Sequence, residues 1–289
     1  MKFWQSLAWC EPEQLVAVAQ FAEELGFEGV LNADHAVFPE TVNAPYPYSG
    51  DGKPPMTADS PYPDCWVSIA FMAAATTRLR LSTSVYVLPL RNPFEVAKAA
   101  GSLAIFSDNR FALGIGAGWM KDEFDIYGVE FSGRGKRMDE MIAVLRKLWQ
   151  GGMVEHEGPH YTFPRLCIEP APSRQIPIYV GGANDAALRR AAFRGEGWLG
   201  AGNAPDEVPA IMARLQQYRR EAGRESEPFE TIIGLTTSPD LDTFKRLREQ
   251  GMTAGVNLPF SFALGTRSSL DDKKRFMEGF ARQFVQPLG

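Results

Sequence analysis

Apolar spacing along this chain switches between a period of two and a period near 3.6 in eight successive units, and this alternation limits the possible folds more than any other feature. The first strand is read at Phe3 to Ala8. Its helix opens near Pro12, buries Leu15, Val18, Ala19, Ala22 and Leu25 at helical spacing, and ends at Gly26. Strand two is Phe27 to Ala33, with a helix from Asp64 to about Thr77. Strand three is Leu79 to Val87, followed by a helix at Pro93 to Phe106. Strand four is Phe111 to Ile115, and its helix puts Met138, Met141, Ile142, Leu145, Leu148 and Trp149 on one face. Strands five and six are Ile176 to Val180 and Gly197 to Ala201, with helices at Asp185 to Arg194 and Pro205 to Ala222. Strand seven is Phe229 to Leu235, and Ser238-Pro239 opens a helix that ends at Gly251. Strand eight is Met252 to Leu258, before a last helix carrying Phe276, Phe280 and Phe284. Eight strand–helix units in 289 residues predict a closed (β/α)8 barrel, with residues 1–289 as a single domain. The alternative, an open sheet of eight parallel strands, would be unusually wide.

Two connections exceed what such a barrel needs, one after strand two and one after helix four. The stretch 34–63 contains seven prolines and several tyrosines. It leaves the carboxyl end of a strand, where barrel active sites form, and its prolines stiffen it into a candidate lid. The stretch 151–175 follows a helix and so starts from the opposite face.

Composition removes several function classes. A net charge of −5 argues against a nucleic-acid partner. No apolar run approaches a membrane span, and the N-terminus lacks the charge pattern of a signal peptide. Three widely separated cysteines, Cys10, Cys65 and Cys167, fit a cytoplasmic protein and offer no metal-site spacing. With only His35, His156 and His160, a histidine-rich metallohydrolase is not expected.

The chemistry-bearing residues collect at the predicted strand ends. Strand four runs into Gly114, Gly116 and Gly118, whose missing Cβ atoms would let a flat or phosphorylated ligand approach the backbone. Tight strand packing would call for the same residues. The spacing is G-x-G-x-G, not the dinucleotide G-x-G-x-x-G, which argues against a Rossmann site. Strand five ends in Gly181-Gly182-Ala183-Asn184 and then a helix, whose free N–H groups could receive an anion. Strand two ends in Asp34-His35: a histidine with a neighbouring carboxylate suits proton handling, and loop capping is the alternative use. The hydroxyls of Ser82, Thr83 and Ser84 could bond a cofactor ring or satisfy barrel backbone. Asp122, Glu123 and Asp125 read as a solvated turn or helix start. Arg134, Lys136 and Arg137 form a small basic cluster that reads as a solvated helix start, or as a phosphate contact if it lies on the carboxyl face, and Arg189 and Arg190 read as surface residues.

The runs Arg78–Val85, Leu90–Pro93, Asn109–Phe124, Tyr127-Gly128, Arg134–Glu140, Leu148-Trp149, Pro177–Gly182 and Gly195–Trp198, with Asp34-His35, resemble the bacterial luciferase-like monooxygenase superfamily, and within it the deazaflavin-dependent oxidoreductases. The resemblance spans roughly residues 3 to 200. It implies a luciferase-like (β/α)8 barrel, usually dimeric, that binds coenzyme F-420 or, alternatively, FMN at the carboxyl face. It implies a non-prolyl cis peptide at Ser84-Val85 behind the ring system, and a cofactor channel lined by Gly116, Ala117 and Gly118. The phosphate would lie near Gly181, Gly182, Ala183 and Asn184, and His35, with Asp34 beside it, near the reacting centre. Sugar-phosphate dehydrogenases of the family carry a glutamate where this chain has Trp119, so Trp119 is expected as a wall against ring or substrate. The implied activity is hydride transfer between F-420 and a small organic substrate. The alternatives are an FMN monooxygenase served by a separate flavin reductase, or a non-catalytic flavin-binding protein.

Overall fold

β-Branched and aromatic runs form the strands, and a glycine, proline or capping side chain ends most of the segments that join them. The computed structural model describes residues 1–237 and 239–289. In chain order, β1 (Lys2–Ser6) leads through a 3-10 turn at Pro12–Gln14 into α1 (Leu15–Glu24), and β2 (Gly29–Asn32) precedes α2 (Cys65–Ala75). Then come β3 (Arg80–Thr83), β4 (Tyr86–Val87), α3 (Pro93–Phe106), β5 (Phe111–Gly116), α4 (Lys121–Ile126) and α5 (Arg134–Leu148). A hairpin of β6 (Val154–Glu157) and β7 (Thr162–Leu166) follows. The second half runs β8 (Ile178–Gly181), α6 (Asp185–Arg194), β9 (Gly197–Asn203), α7 (Val208–Glu221), β10 (Glu230–Leu235), α8 (Leu241–Glu249) and β11 (Ala254–Asn257). It closes with α9 (Ser261–Leu264), α10 (Leu270–Phe280), a π turn at Ala281–Val285 and α11 (Gln286–Leu288).

The strands pair in parallel in the order β3-β2-β1-β11-β10-β9-β8-β5-β4, and β3 also pairs with β5 through Leu81↔Phe111 and Ser82↔Ala112. That last pairing closes the sheet. β3 and β4 both lie along β5 and are separated by the cis Ser84–Val85 peptide, so they act as one stave of an eight-stave barrel. This is the (β/α)8 architecture that the alternation predicts.

Trp4, Leu31, Ala112, Tyr179, Leu199, Ile232 and Ala254 fill the barrel interior. Below them, Arg80 Nη1 meets Glu28 at 3.0 Å and Glu230 at 2.8 Å, and the Tyr179 hydroxyl donates to Glu230 at 2.9 Å. Paired charges therefore plug the amino-terminal end, which leaves the carboxyl end open for a ligand. Outside the strands, Phe3 meets Phe244 edge-on at 5.2 Å and Phe280 at 5.6 Å, so the last helix seals the shell beside β1. Phe276, Phe280 and Phe284 are thus packing residues, each worth about 1.5–3 kcal/mol when fully buried.

Differences from the expected elements have local causes. Strand three is split at Ser84–Val85. Helix α8 is capped by Asp240, whose Oδ1 accepts from the Thr243 N–H at 2.7 Å; the expected start at Ser238-Pro239 lies partly outside the described residues. The stretch after α5 contains the unforeseen β6–β7 hairpin, held to the outer shell by Glu140, which accepts from the His160 and Tyr161 amides at 2.9 Å each. Phe94 packs on Phe163 at 5.1 Å from the same side.

Candidate active site

A cavity of about 1280 Å³ opens at the carboxyl end of the barrel. Its volume exceeds the usual 300–1,000 Å³ of a single-ligand pocket and has room for two molecules side by side. Asp34, His35, Ser84, Val85, Gly116, Ala117, Gly118, Trp119, Gly181, Gly182, Ala183 and Asn184 line it, as does Arg134, whereas Ser82, Thr83, Gly114, Lys136 and Arg137 do not. The stretch after β2 lies against it through Tyr46, Tyr48, Met56 and Tyr62.

The Asp34-His35 pair does not act as a pair. Asp34 Oδ2 accepts from the Val87 N–H at 3.0 Å, and both its oxygens take Arg91 Nη2, at 2.9 and 3.0 Å. Burial pushes the Asp34 carboxyl above its ordinary pKa, and Arg91 opposes that rise. Asp34 therefore clamps β4 to the end of β2. The carboxylate that holds His35 is Glu123, expected as part of a solvated turn but only 1% exposed. Glu123 Oε1 accepts from the Ala36 N–H at 2.6 Å and the Val37 N–H at 3.4 Å, while Oε2 lies 3.2 Å from His35 Nδ1. These partners assign the hydrogen to Nδ1. Among the described residues Nε2 has no protein partner.

Helix α4 makes this possible. It places Asp122 and Glu123 side by side at its start, both reaching the stretch after β2. Asp122 accepts from Asn43 Nδ2 at 2.7 Å and from the Asn43 and Ala44 amides. The Asn43 bond holds its carboxyl below the usual range. The signal in the sequence was the pair of carboxylates at a helix start, four residues beyond the last glycine. Their partners were not legible.

The glycines are needed for a reason different from open approach. A Cβ on Gly114 would lie 1.9 Å from the Thr83 carbonyl oxygen. On Gly116 and Gly181 it would lie 2.5 Å from the two γ-methyls of Val85. Gly118, at φ +80°, would strike Phe124 and Val87 at 2.7 Å. These glycines make room for the barrel's own β3–β4 stave and hold Val85 between them. Their spacing thus serves packing first, and the backbone of Gly116, Ala117 and Gly118 reaches the cavity as a consequence.

At the end of β8, Gly182 has φ +123°, and its carbonyl accepts from Trp198 Nε1 at 2.8 Å. Asn184 caps α6 by accepting from the Ala187 N–H at 2.9 Å. The first-turn amides of α6 have no earlier turn to bond. The Asp185 carboxylate turns outward to Arg214 and the Tyr218 hydroxyl, leaving that terminus open to an anion. Arg134 lies nearby over the Phe131 ring at 3.6 Å, with Nε donating to the Gly118 carbonyl at 3.0 Å. It has no carboxylate partner among the described residues, and burial lowers its pKa, as does neighbouring Arg137. Arg190, expected on the surface, is only 9% exposed at its side chain, pairs with Asp139 at 2.6 Å and also lines the cavity. Backbone donors and an uncompensated guanidinium suit a phosphate, and Val85 between two glycines offers a surface for a flat ring, so these residues fit a flavin or deazaflavin.

Rings wall the other side. His35 lies 5.0 Å from Tyr62 and 6.0 Å from Trp119, Trp119 meets Tyr46 at 5.1 Å, and Trp9 Nε1 donates to the Tyr62 hydroxyl at 2.6 Å.

Compared with known proteins, residues 5–272 match the family model described as luciferase-like monooxygenase. The chain belongs to that family. It is 38% identical over 273 residues to an uncharacterized protein of Mycobacterium tuberculosis, covering 93% of this chain and 94% of that one. It is 28% identical over 240 residues to a protein of Microbacterium testaceum named F-420-dependent glucose-6-phosphate dehydrogenase, covering 80% of this chain and 66% of that one. The crystal structure of a monooxygenase from Streptomyces bottropensis superposes with a TM-score of 0.79 over 100% of both chains at 19% identity. This family member is an oxidoreductase-type enzyme on a luciferase-like barrel. No helix among its described residues is long and apolar enough to cross a membrane.

Proposed function

We propose that the protein is a cytoplasmic F-420-dependent oxidoreductase acting on a small organic substrate, with His35 handling the proton. The observation that carries this reading is the His35–Glu123 contact, 3.2 Å long and almost wholly buried. It fixes one ring nitrogen and leaves Nε2 to exchange a proton with a substrate oxygen. The bound deazaflavin would supply the hydride donor or acceptor. Val85 would support its ring system from behind, while Gly116, Ala117, Gly118 and Trp119 flank it. The amides at Gly182, Ala183 and Asn184, with Arg134, would hold its phosphate. Asp34 is a positioning residue in this reading, because both its oxygens are committed to Arg91 and Val87.

The second reading is an FMN monooxygenase supplied by a separate reductase. Its support is the ring wall of Trp9, Tyr46, Tyr62 and Trp119, which would keep water from a reactive oxygen species. Spectroscopic titration with F-420 and with FMN, each oxidised and reduced, separates the two. Tight binding of F-420 with substrate-dependent bleaching under anaerobic conditions supports the first. Incorporation of oxygen into a substrate, dependent on the protein, reduced FMN and O2 together, supports the second.

A second copy of the chain would pack on α2. That helix is apolar on all sides, Cys-Trp-Val-Ser-Ile-Ala-Phe-Met-Ala-Ala-Ala, and exposes Val67 at 58% and Phe71 at 66%. Phe106, at the end of neighbouring α3, is 79% exposed. A helix apolar all round is normally covered.

A further inference from the structure

We propose that Trp9 is a positioning residue for the site: its indole N–H grips the Tyr62 hydroxyl, and Tyr62 so held keeps the His35 ring in the orientation that Glu123 sets. The proposal rests on the oxidoreductase reading above for what His35 does, and it adds a residue that acts on His35 from another connection of the barrel. The backbone gives the first reason. The Cys10 amide donates to the Leu7 carbonyl at 3.1 Å, which closes a four-residue turn after β1 with Trp9 at its third position. Trp9 has φ +58° there. A turn with positive φ at that position ordinarily takes glycine or asparagine, because the left-handed region brings Cβ against the backbone. The other non-glycine residues with positive φ among the described residues are Asp108 and Asn109, short polar types that tolerate it. A tryptophan in the same geometry is strained, and such strain persists only where the surroundings over-determine it.

The surroundings hold Trp9 from three sides. Glu11 Oε1 accepts from the Ser268 amide at 2.8 Å, and its Oε2 pairs at 2.6 Å with Lys273, which is 1% exposed. This ties the chain just past the turn to the segment before α10. Phe262 meets the Trp9 ring edge-on at 5.6 Å. Trp9 Nε1 donates to the Tyr62 hydroxyl at 2.6 Å, across 53 positions of sequence. Tyr62 comes two residues before Asp64, the cap of α2, so α2 places its backbone and Trp9 places its ring. That ring stands 5.0 Å from His35 at 79°. Glu123 holds His35 through Nδ1, and one contact at one ring atom leaves the imidazole free to swing about it. The edges of Tyr62, Trp119 at 6.0 Å and Phe38 at 6.5 Å close off that swing. Trp9 is the hydrogen-bond partner of the Tyr62 hydroxyl among the described residues. Without the indole N–H, Tyr62 can turn away and His35 loses the support nearest to it.

Nuclear magnetic resonance of the full chain with nitrogen-labelled histidine tests this without a substrate, because the chain has only three histidines and His35→Ala assigns the signals of His35. Trp9→Phe keeps a ring in the wall and removes the donor; Tyr62→Phe removes the acceptor. Each should speed solvent exchange of the His35 Nδ1–H by about tenfold, and the double variant should go no further than either alone, since groups in one hydrogen-bonded chain are coupled. Trp9→Gly should melt higher than Trp9→Ala, because glycine takes this φ without strain. Unchanged His35 signals in a folded Trp9→Phe or Tyr62→Phe protein overturn the proposal. So does an additive change in the double variant, which would mean that Trp9 acts by packing alone, and so does an alanine variant as stable as the glycine one. Should Trp9→Phe not fold, the Tyr62→Phe result decides. If His35 responds as expected but His35→Ala turns over at the wild-type rate, the proton role fails and the positioning stands. If His35→Ala is inactive and His35 does not respond, the positioning fails and the oxidoreductase reading stands.

Discussion

At the scale of single residues, the site turns on which groups have spare valence. His35 keeps one nitrogen, Tyr62 one hydrogen and Arg134 its charge, whereas Asp34 keeps nothing. Removing the histidine and removing its support should therefore differ. His35→Ala is expected to lower kcat by about 10²–10⁴-fold with cofactor affinity nearly unchanged. Glu123→Gln keeps an oxygen for the Ala36 and Val37 amides but loses the negative charge beside the imidazole. A smaller loss is expected, roughly 10–100-fold as for other partners that fix a histidine's tautomer, with a displaced pH–rate profile. Steady-state kinetics across pH, with parallel cofactor titrations, checks both. Wild-type turnover in His35→Ala would reduce that residue to a structural one.

At the scale of elements, carboxylates at helix ends tie neighbouring connections together. Glu23, in the last turn of α1, accepts from the Thr77 amide at 2.9 Å, the Leu79 amide at 2.8 Å and the Arg78 amide between them. Burial alone would raise its pKa, but these donors hold the carboxyl below the usual range. A depressed folded-state pKa adds stability that is present above the unfolded value, near 4.3, and lost as pH falls through the folded one. Glu23→Gln should thus cost about 1 kcal/mol at pH 7, and the gap to wild type should close as the solution is acidified below about pH 4. Denaturant melts at several pH values measure it; a gap independent of pH would contradict the assignment. Asp122 of α4 plays the same part for the stretch 34–63. Asp122→Ala should free the Asn43 and Ala44 amides, speed hydrogen exchange across that stretch and raise KM, with no change in barrel stability. Wild-type protection that does not increase when cofactor and substrate are both bound would end the lid interpretation.

At the scale of the whole molecule, two surfaces remain to be used: the cavity mouth and the apolar face of α2 and α3. The first is the proposed site. For the second, Phe71→Glu should shift the protein from dimer to monomer at micromolar concentration in light scattering, with its melting temperature little changed in the monomeric state. A wild-type chain that is monomeric at high concentration would remove this face as an interface.

Local periodicity made the barrel legible. Strand and helix spacing depends on near neighbours in the chain, and the helices at Pro93–Phe106 and Asp185–Arg194 have the ends that the sequence reading assigns. The position of His35 at a strand end and the location of the cis peptide at Ser84–Val85 were legible too, the second through family resemblance. The partners of those residues were not. His35 and Glu123 are 88 positions apart, and Asp34 and Arg91 are 57 apart. No periodicity links such pairs; only the closed sheet and the fold-back of α4 against the stretch after β2 bring them together. The glycines carry the same lesson. Their alternate spacing is visible in the chain, but whether a missing Cβ faces a ligand or Val85 depends on how neighbouring staves pack. The side-chain alphabet and its spacing determined where polar groups could reach the carboxyl face. Closure of the barrel decided which were neutralised by one another and which were left free to act.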